Sequence, residues 1–205
     1  MNYRRNIFVK TCFDHVLVDD RVLSNLLQSE NIYHKALNFN NSISTDRRRE
    51  VTEWMLEVSQ IQQNSNQIFL SAVRYLDIIL HHHLISSKQL QTLASACLCL
   101  ASKILDPRPL SLQHFVRTPE IQLSQLQEME LLVLTKLRWE LCAPTSLDFL
   151  PFLLSRLQLE KTLKKSVQDQ AETFLVLSAT ESCYIHLRPS LLVSCITNDI
   201  IKILI

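Results

Sequence analysis

Apolar residues recur along this chain at spacings of three and four from residue 19 onward, the mark of amphipathic helices. In DDRVLSNLLQSE, Val22, Leu23, Leu26 and Leu27 share one face. An Asn/Ser-rich connector, Asn38 to Ser44, separates that piece from the next helix, whose expected N-cap is Thr45 or Asp46. A buried stripe follows, Val51, Trp54, Met55, Val58 and Ile61, until Asn64, Ser65 and Asn66 interrupt it. The next stripe is Ile68, Phe69, Ala72, Val73, Leu76, Ile79 and Leu80. Ser86 and Ser87 open a third helix that is apolar nearly all round from Leu93 to Leu100, as befits the centre of a bundle. Asp106-Pro107-Arg108-Pro109 ends it, because proline lacks the amide that a continuing helix needs. A short helix over 111–117 and a long one over 121–137 bring the bundle to five helices.

Ala143-Pro144-Thr145-Ser146 reads as a boundary after which the pattern restarts. Leu147, Phe149, Leu150, Phe152 and Leu153 give a first helix, and residues 160–183 a longer second one. A third begins with Pro189 at its first position, with Leu191, Leu192, Cys195, Ile196, Ile200 and Leu204 as its apolar face. The expected chain is therefore all-α: an N-terminal helix and connector over 1–44, a five-helix bundle over 45–142, and a partial second helical domain over 143–205.

Composition narrows the function. Glycine is absent altogether, so neither a dinucleotide-binding nor a P-loop glycine fingerprint can exist. Lys and Arg total 21 against 20 Asp and Glu, a net charge of +1, which speaks against a phosphate-gripping nucleic-acid binder. No apolar run reaches the 18 or so residues of a membrane span, and the first fifteen residues lack the apolar core of a secretory signal. The six cysteines (Cys12, Cys97, Cys99, Cys142, Cys183 and Cys195) form no CxxC pair, which points to free, buried thiols in a reducing compartment inside the cell.

Candidate chemistry dissolves on inspection. Neighbouring helical positions point about 100° apart, so His81, His82 and His83 cannot converge on one ion, and a solvated helix end is expected there. Cys97 and Cys99, and likewise Glu128 and Glu130, diverge for the same reason. Cys142 has no activating base beside it. No catalytic constellation, metal site or cofactor is expected.

Several segments, in order, resemble the cyclin family, and D-type cyclins in particular. RRREVTEWMLEV (47–58) resembles the opening helix of the first cyclin box; RYLDIIL and ASKIL resemble later helices of that box. DDRVLSNLL is similar to the D-type N-terminal helix and LQEMELLVLTKLRWEL to a further D-type segment. DFLPFLL and AETFLVLSATE are similar to the start of the second box. The likeness runs from about Asp19 to the end and is more specific in the first box. It implies a cyclin box followed by a shortened second box, the last two helices of which have no counterpart here.

The resemblance also implies roles. Lys103 and Glu130 fall where the family places a lysine and a glutamate that hydrogen-bond main-chain groups beside a kinase's αC helix. Arg48 and Asp77 fall at an internal ion pair tying two helices together. Trp54 and Val51 match part of a docking patch for Arg-x-Leu motifs, but Arg47 and Glu50 replace apolar floor positions, so packing is the favoured role. Lys10-Thr11-Cys12-Phe13-Asp14 departs from the Leu-x-Cys-x-Glu motif that D-type cyclins use on pocket proteins. The implied protein is a non-catalytic activator of a cyclin-dependent Ser/Thr kinase in G1, found in nucleus and cytoplasm, whose partners are the kinase and substrates or inhibitors of the complex. The alternatives are a decoy that binds a kinase without activating it and a cyclin-fold transcription or nucleic-acid-binding module.

Overall fold

The computed structural model describes residues 20–35, 44–82, 85–110 and 122–204. Among them every regular element is helical: α1 (Asp20–Lys35), α2 (Thr45–Ile61), α3 (Asn66–His82), α4 (Leu90–Leu105), α5 (Leu123–Lys136), α6 (Ser146–Arg156), α7 (Lys161–Thr180) and α8 (Pro189–Leu204). A 3-10 turn, Ser182–Tyr184, lies between α7 and α8. The helix expected over 111–117, most of the 38–44 connector, and the segment around Cys12 fall outside the described residues.

α4 is the axis of the first bundle. Leu90 and every residue from Thr92 to Ser102 are buried, and α2, α3 and α5 pack around it. The run Leu93 to Leu100 has no polar stripe, so the helix is stable only where apolar neighbours surround it. Met55, Phe69, Leu76, Leu98 and Leu126 lie fully buried at the contacts. A second core forms from Phe149, Leu150 and Leu154 of α6, Val167, Ala171 and Leu175 of α7, and Val193 and Ile200 of α8. Leu23 and Leu26 of α1 pack on this second core. Val176, one residue beyond Leu175, belongs to the first core, so α7 borders both.

Helix ends explain how a chain without glycine makes its turns. After α2, Gln63 takes φ 55°. Its amide donates to the carbonyl of Gln60 at 3.0 Å, and that of Asn64 to the carbonyl of Ser59 at 2.9 Å. That is the paired closure of a Schellman stop, with glutamine in the left-handed position that glycine usually fills. After α5, Arg138 at φ 52° repeats it, with the Trp139 amide reaching the Leu134 carbonyl at 3.0 Å.

Local readings of the sequence need five corrections. Ile61, expected in the buried stripe of α2, is 75% exposed at the helix end. The cap of α2 is Ser44, whose hydroxyl oxygen accepts from the Arg47 amide at 3.4 Å; Thr45 is already helical. α4 begins at Leu90 and not at the serines, because Ser86 bonds the side chain of Gln89 at 2.8 Å in a preceding turn. The second helix of the last group stops at Thr180, where Glu181 turns extended at ψ 131°. On α8 the buried face is Val193, Thr197 and Ile200, whereas Leu191, Cys195 and Leu204 are exposed. Apolar residues occupy more of that helix than a single core can cover.

Candidate functional site

The two residues implied as the reaching pair come from neighbouring helices. Lys103 lies in the last turn of α4, where a cation also suits the helix dipole. The exit from that turn is fixed: Ser102 Oγ accepts from the Leu110 amide at 2.7 Å, and Asp106 Oδ1 from the Arg108 amide at 2.8 Å. Glu130 lies mid-way along α5, beside Met129, which is buried. Packing of α5 on α4 brings the two together, and Lys103 Nζ donates to Glu130 Oε1. Lys103 is 42% exposed and Glu130 12% at the side chain, so the pair sits at the surface with its carboxylate sunk. Such a half-exposed pair contributes at most about 1 kcal/mol and can be exchanged for other partners.

Cys99 lies one turn before Lys103. Burial, then the Glu130 charge, pushes its thiol up to about 12, with Lys103 opposing. Cys97 faces the other side of α4, and burial followed by the Asp77 charge raises it further. Both thiols are held neutral. The expectation of buried thiols holds for these two, whereas Cys142, Cys183 and Cys195 are exposed. His81 is half-buried, which departs from the solvated helix end expected of it.

A second polar centre lies across the bundle. Arg48 of α2 donates to Asp77 of α3 twice, Nε to Oδ1 at 2.7 Å and Nη2 to Oδ2 at 2.9 Å. The same guanidinium donates to the carbonyls of Thr180 and Ala179, each at 3.0 Å. One buried arginine thus joins two first-bundle helices to the end of α7, the last turn of which leaves carbonyls without partners within the helix. Neighbouring Arg49 points outward to Glu53 at 2.9 Å and Glu181 at 3.3 Å. Its guanidinium pKa is raised, first by the hydrogen bond to Glu53 and then by the Glu181 charge.

Trp54 is partly buried against the first core and Val51 is buried, while Arg47 and Glu50 on the same flank are exposed. Among the described residues no group of three or more His, Cys, Asp or Glu side chains is placed to hold a metal ion. Nor is any described helix long and apolar enough to cross a membrane.

The family model for the cyclin N-terminal domain matches residues 21–142, which take in α1 from its second residue, α2 to α5, and the Lys103–Glu130 and Arg48–Asp77 pairs. The chain belongs to the cyclin family. It is 35% identical to human G1/S-specific cyclin-D3 over 183 residues, 86% of this chain and 63% of that protein. To G1/S-specific cyclin-D1 of Danio rerio it is 32% identical over 185 residues, 87% of this chain and 64% of the relative. The chain thus spans a little under two thirds of these relatives' length. A solved viral cyclin from herpesvirus saimiri matches with a TM-score of 0.78 over 89% of this chain and 82% of that one. At 22% identity it bears on the fold alone, and the fold it shares is the all-helical cyclin box.

Two polar links of this cyclin were not legible in its sequence. Glu30 of α1, only 2% exposed, accepts from the amide and hydroxyl of Ser190, each at 2.7 Å, at the start of α8. Gln67 of α3 donates to Thr145 Oγ1 and Asp148 Oδ1 at 3.0 Å, at the start of α6. Each joins residues far apart in the chain, and no local spacing announces them.

Proposed function

We propose that this cyclin binds and activates a cyclin-dependent Ser/Thr protein kinase and acts in G1 progression, in nucleus and cytoplasm, leaving catalysis to the kinase. The observation that carries the reading is the meeting of Lys103 and Glu130 at one exposed edge of α4 and α5. Their register matches the pair through which D-type cyclins grip main-chain groups beside a kinase's αC helix. An ammonium supplies donors and a carboxylate supplies acceptors, so the two answer opposite backbone groups at one docking point. In the free cyclin each satisfies the other. On docking, a low-value surface pair is exchanged for charge-assisted bonds to the partner.

Activation follows if the docked state favours the kinase's active arrangement over its inactive one, since a ligand shifts an equilibrium only by its differential affinity. Arg48 and Asp77 support this indirectly by fixing α2 against α3. Trp54 and Val51 take a packing role in this reading, with substrate docking secondary.

Co-purification with a panel of cyclin-dependent kinases, followed by a phosphorylation assay, tests binding and activation separately. Lys103→Glu and Glu130→Lys should each abolish capture. The double exchange restores the ion pair with reversed polarity, so it should fold normally and still fail to bind. Wild-type capture by the single variants would overturn the reading, and capture without activity would identify a decoy.

A further inference from the structure

Three lysines crowd the opening of α7: Lys161, Lys164 and Lys165. They stand three and four residues apart, so all three project from one face. Lys161 and Lys165 are exposed and Lys164 is half-buried. Among the described residues none of the three ammonium groups has a carboxylate partner. Glu160 beside them makes no side-chain cap bond. Three lysines against this one carboxylate leave the turn a surplus of two positive charges, in a chain whose net charge is +1. Cations elsewhere are engaged. Of the run Arg47 to Arg49, Arg48 holds Asp77 and Arg49 holds Glu53 and Glu181. Arg156, at the end of α6, is held by Asp20 at 2.6 Å. The fold gains nothing from the lysines' placement. Cations three and four residues apart repel one another, the start of a helix disfavours them, and no acidic residue lies in the first turn to offset them. A charge pattern that weakens its own helix is accounted for when an outside group of opposite sign meets it.

We propose that this lysine face docks an extended, acidic segment of a partner protein, with carboxylates at alternate positions. Lys161 and Lys165 lie about 6 Å apart along the helix axis at roughly 1.5 Å per residue. Alternate side chains of an extended segment share one side and lie about 6.7 Å apart. Two carboxylates of such a segment therefore meet the two exposed ammonium groups, with Lys164 adding to the attraction between them. A nucleic acid fits less well, because gripping phosphates takes a longer basic track than this short one. A membrane surface fits less well too. Leu163, the apolar residue among the lysines, packs on the second core and leaves nothing to insert between lipids. The face is remote from the flank of α2, which borders the far end of α7 at Leu177 and Ser178. Leu163 and Leu177 are roughly 21 Å apart along the helix. The inference does not rest on the kinase reading, which concerns the edge of α4 and α5.

The test uses a fluorescein-labelled synthetic octapeptide of alternating glutamate and serine, read by anisotropy on the full chain. One companion has lysine for each glutamate, and another has the same glutamates in one block. The alternating acidic peptide should bind one to one, at least about tenfold more tightly than the lysine peptide and about threefold more tightly than the block. Affinity should fall as salt is raised, because exposed charges are screened. Lys161→Glu and Lys165→Glu, both at exposed positions, should each weaken binding about tenfold. Their thermal midpoints should lie at or above wild type, since each removes a repelled cation from the start of a helix. Lys88→Glu, exposed in the first bundle, and Lys103→Glu should leave binding unchanged. Equal binding of the three peptides, or an equal loss with Lys88→Glu, would overturn the proposal. So would tighter binding of a single-stranded pentanucleotide, or of vesicles containing an anionic phospholipid, which would assign the face to another class of partner.

Discussion

Arg48 and Asp77 form a bidentate ion pair, at 2.7 and 2.9 Å, that is 7% and 11% exposed at the side chains. Because the guanidinium also serves the carbonyls of Ala179 and Thr180, its loss would strand both a carboxylate and the end of α7. Arg48→Met should destabilise the fold by about 3–5 kcal/mol, the cost of leaving a buried charge uncompensated. Arg48→Lys should recover only part of this, since one ammonium cannot match the planar fork. Urea denaturation midpoints of the two variants decide the point. A shift for Arg48→Met of under about 1 kcal/mol would mean that water already serves the pair.

Alkaline solution should unfold this cyclin through its central thiols. Their folded pKa lies above the unfolded value of 9.0, near 12 for Cys99 and higher for Cys97. Stability is therefore complete below pH 9, and falls as pH rises from there through the folded pKa values, because only the unfolded chain loses the protons. Each thiol contributes a slope of about 1.4 kcal/mol per pH unit across that window. Replacing both by alanine should flatten the stability profile between pH 9 and 11, measured against wild type at each pH.

The same burial predicts a split in thiol reactivity. Cys142, Cys183 and Cys195 are exposed and should react with a thiol reagent in the native state at pH 8. Cys97 and Cys99 should react only after denaturant is added, and peptide mapping by mass spectrometry reads the order.

Gln63 stands at φ 55° in a Schellman stop. A side chain there costs about 1 kcal/mol that glycine avoids. Gln63→Gly should raise the thermal midpoint by a few degrees. An unchanged or lowered midpoint would show that the longer side chain offsets the strain.

Glu30 ties α1 to α8 through Ser190. Glu30→Ala should cost about 1–3 kcal/mol by leaving the Ser190 donors without that acceptor. Hydrogen exchange at the first turn of α8 should quicken more than at α4, which lies in the other core.

What the residues alone disclosed follows from where the information resides. The order of the helices and the central place of α4 were legible, because an all-round apolar stretch has one stable home. Lys103, Glu130, Arg48 and Asp77 were picked out by their register within a resemblance, and the first two do meet across α4 and α5. Periodicity misjudged α8, where Leu191 and Cys195 turned outward, because a surplus of apolar residues leaves the buried arc undetermined. The grip of Arg48 on Ala179 and Thr180 was invisible, since main-chain carbonyls leave no trace in a sequence.

The sealed interior of α4 has a consequence for genetics. With Thr92 to Ser102 wholly enclosed, a bulky or charged replacement at almost any of those positions should empty the cell of folded protein. A blind survey of damaging changes would therefore crowd onto a segment that touches no outside molecule. Only measurements of abundance alongside binding would pick out the quieter residues, Lys103 and Glu130, whose replacement, under the proposed kinase-docking role, should leave the protein present but idle.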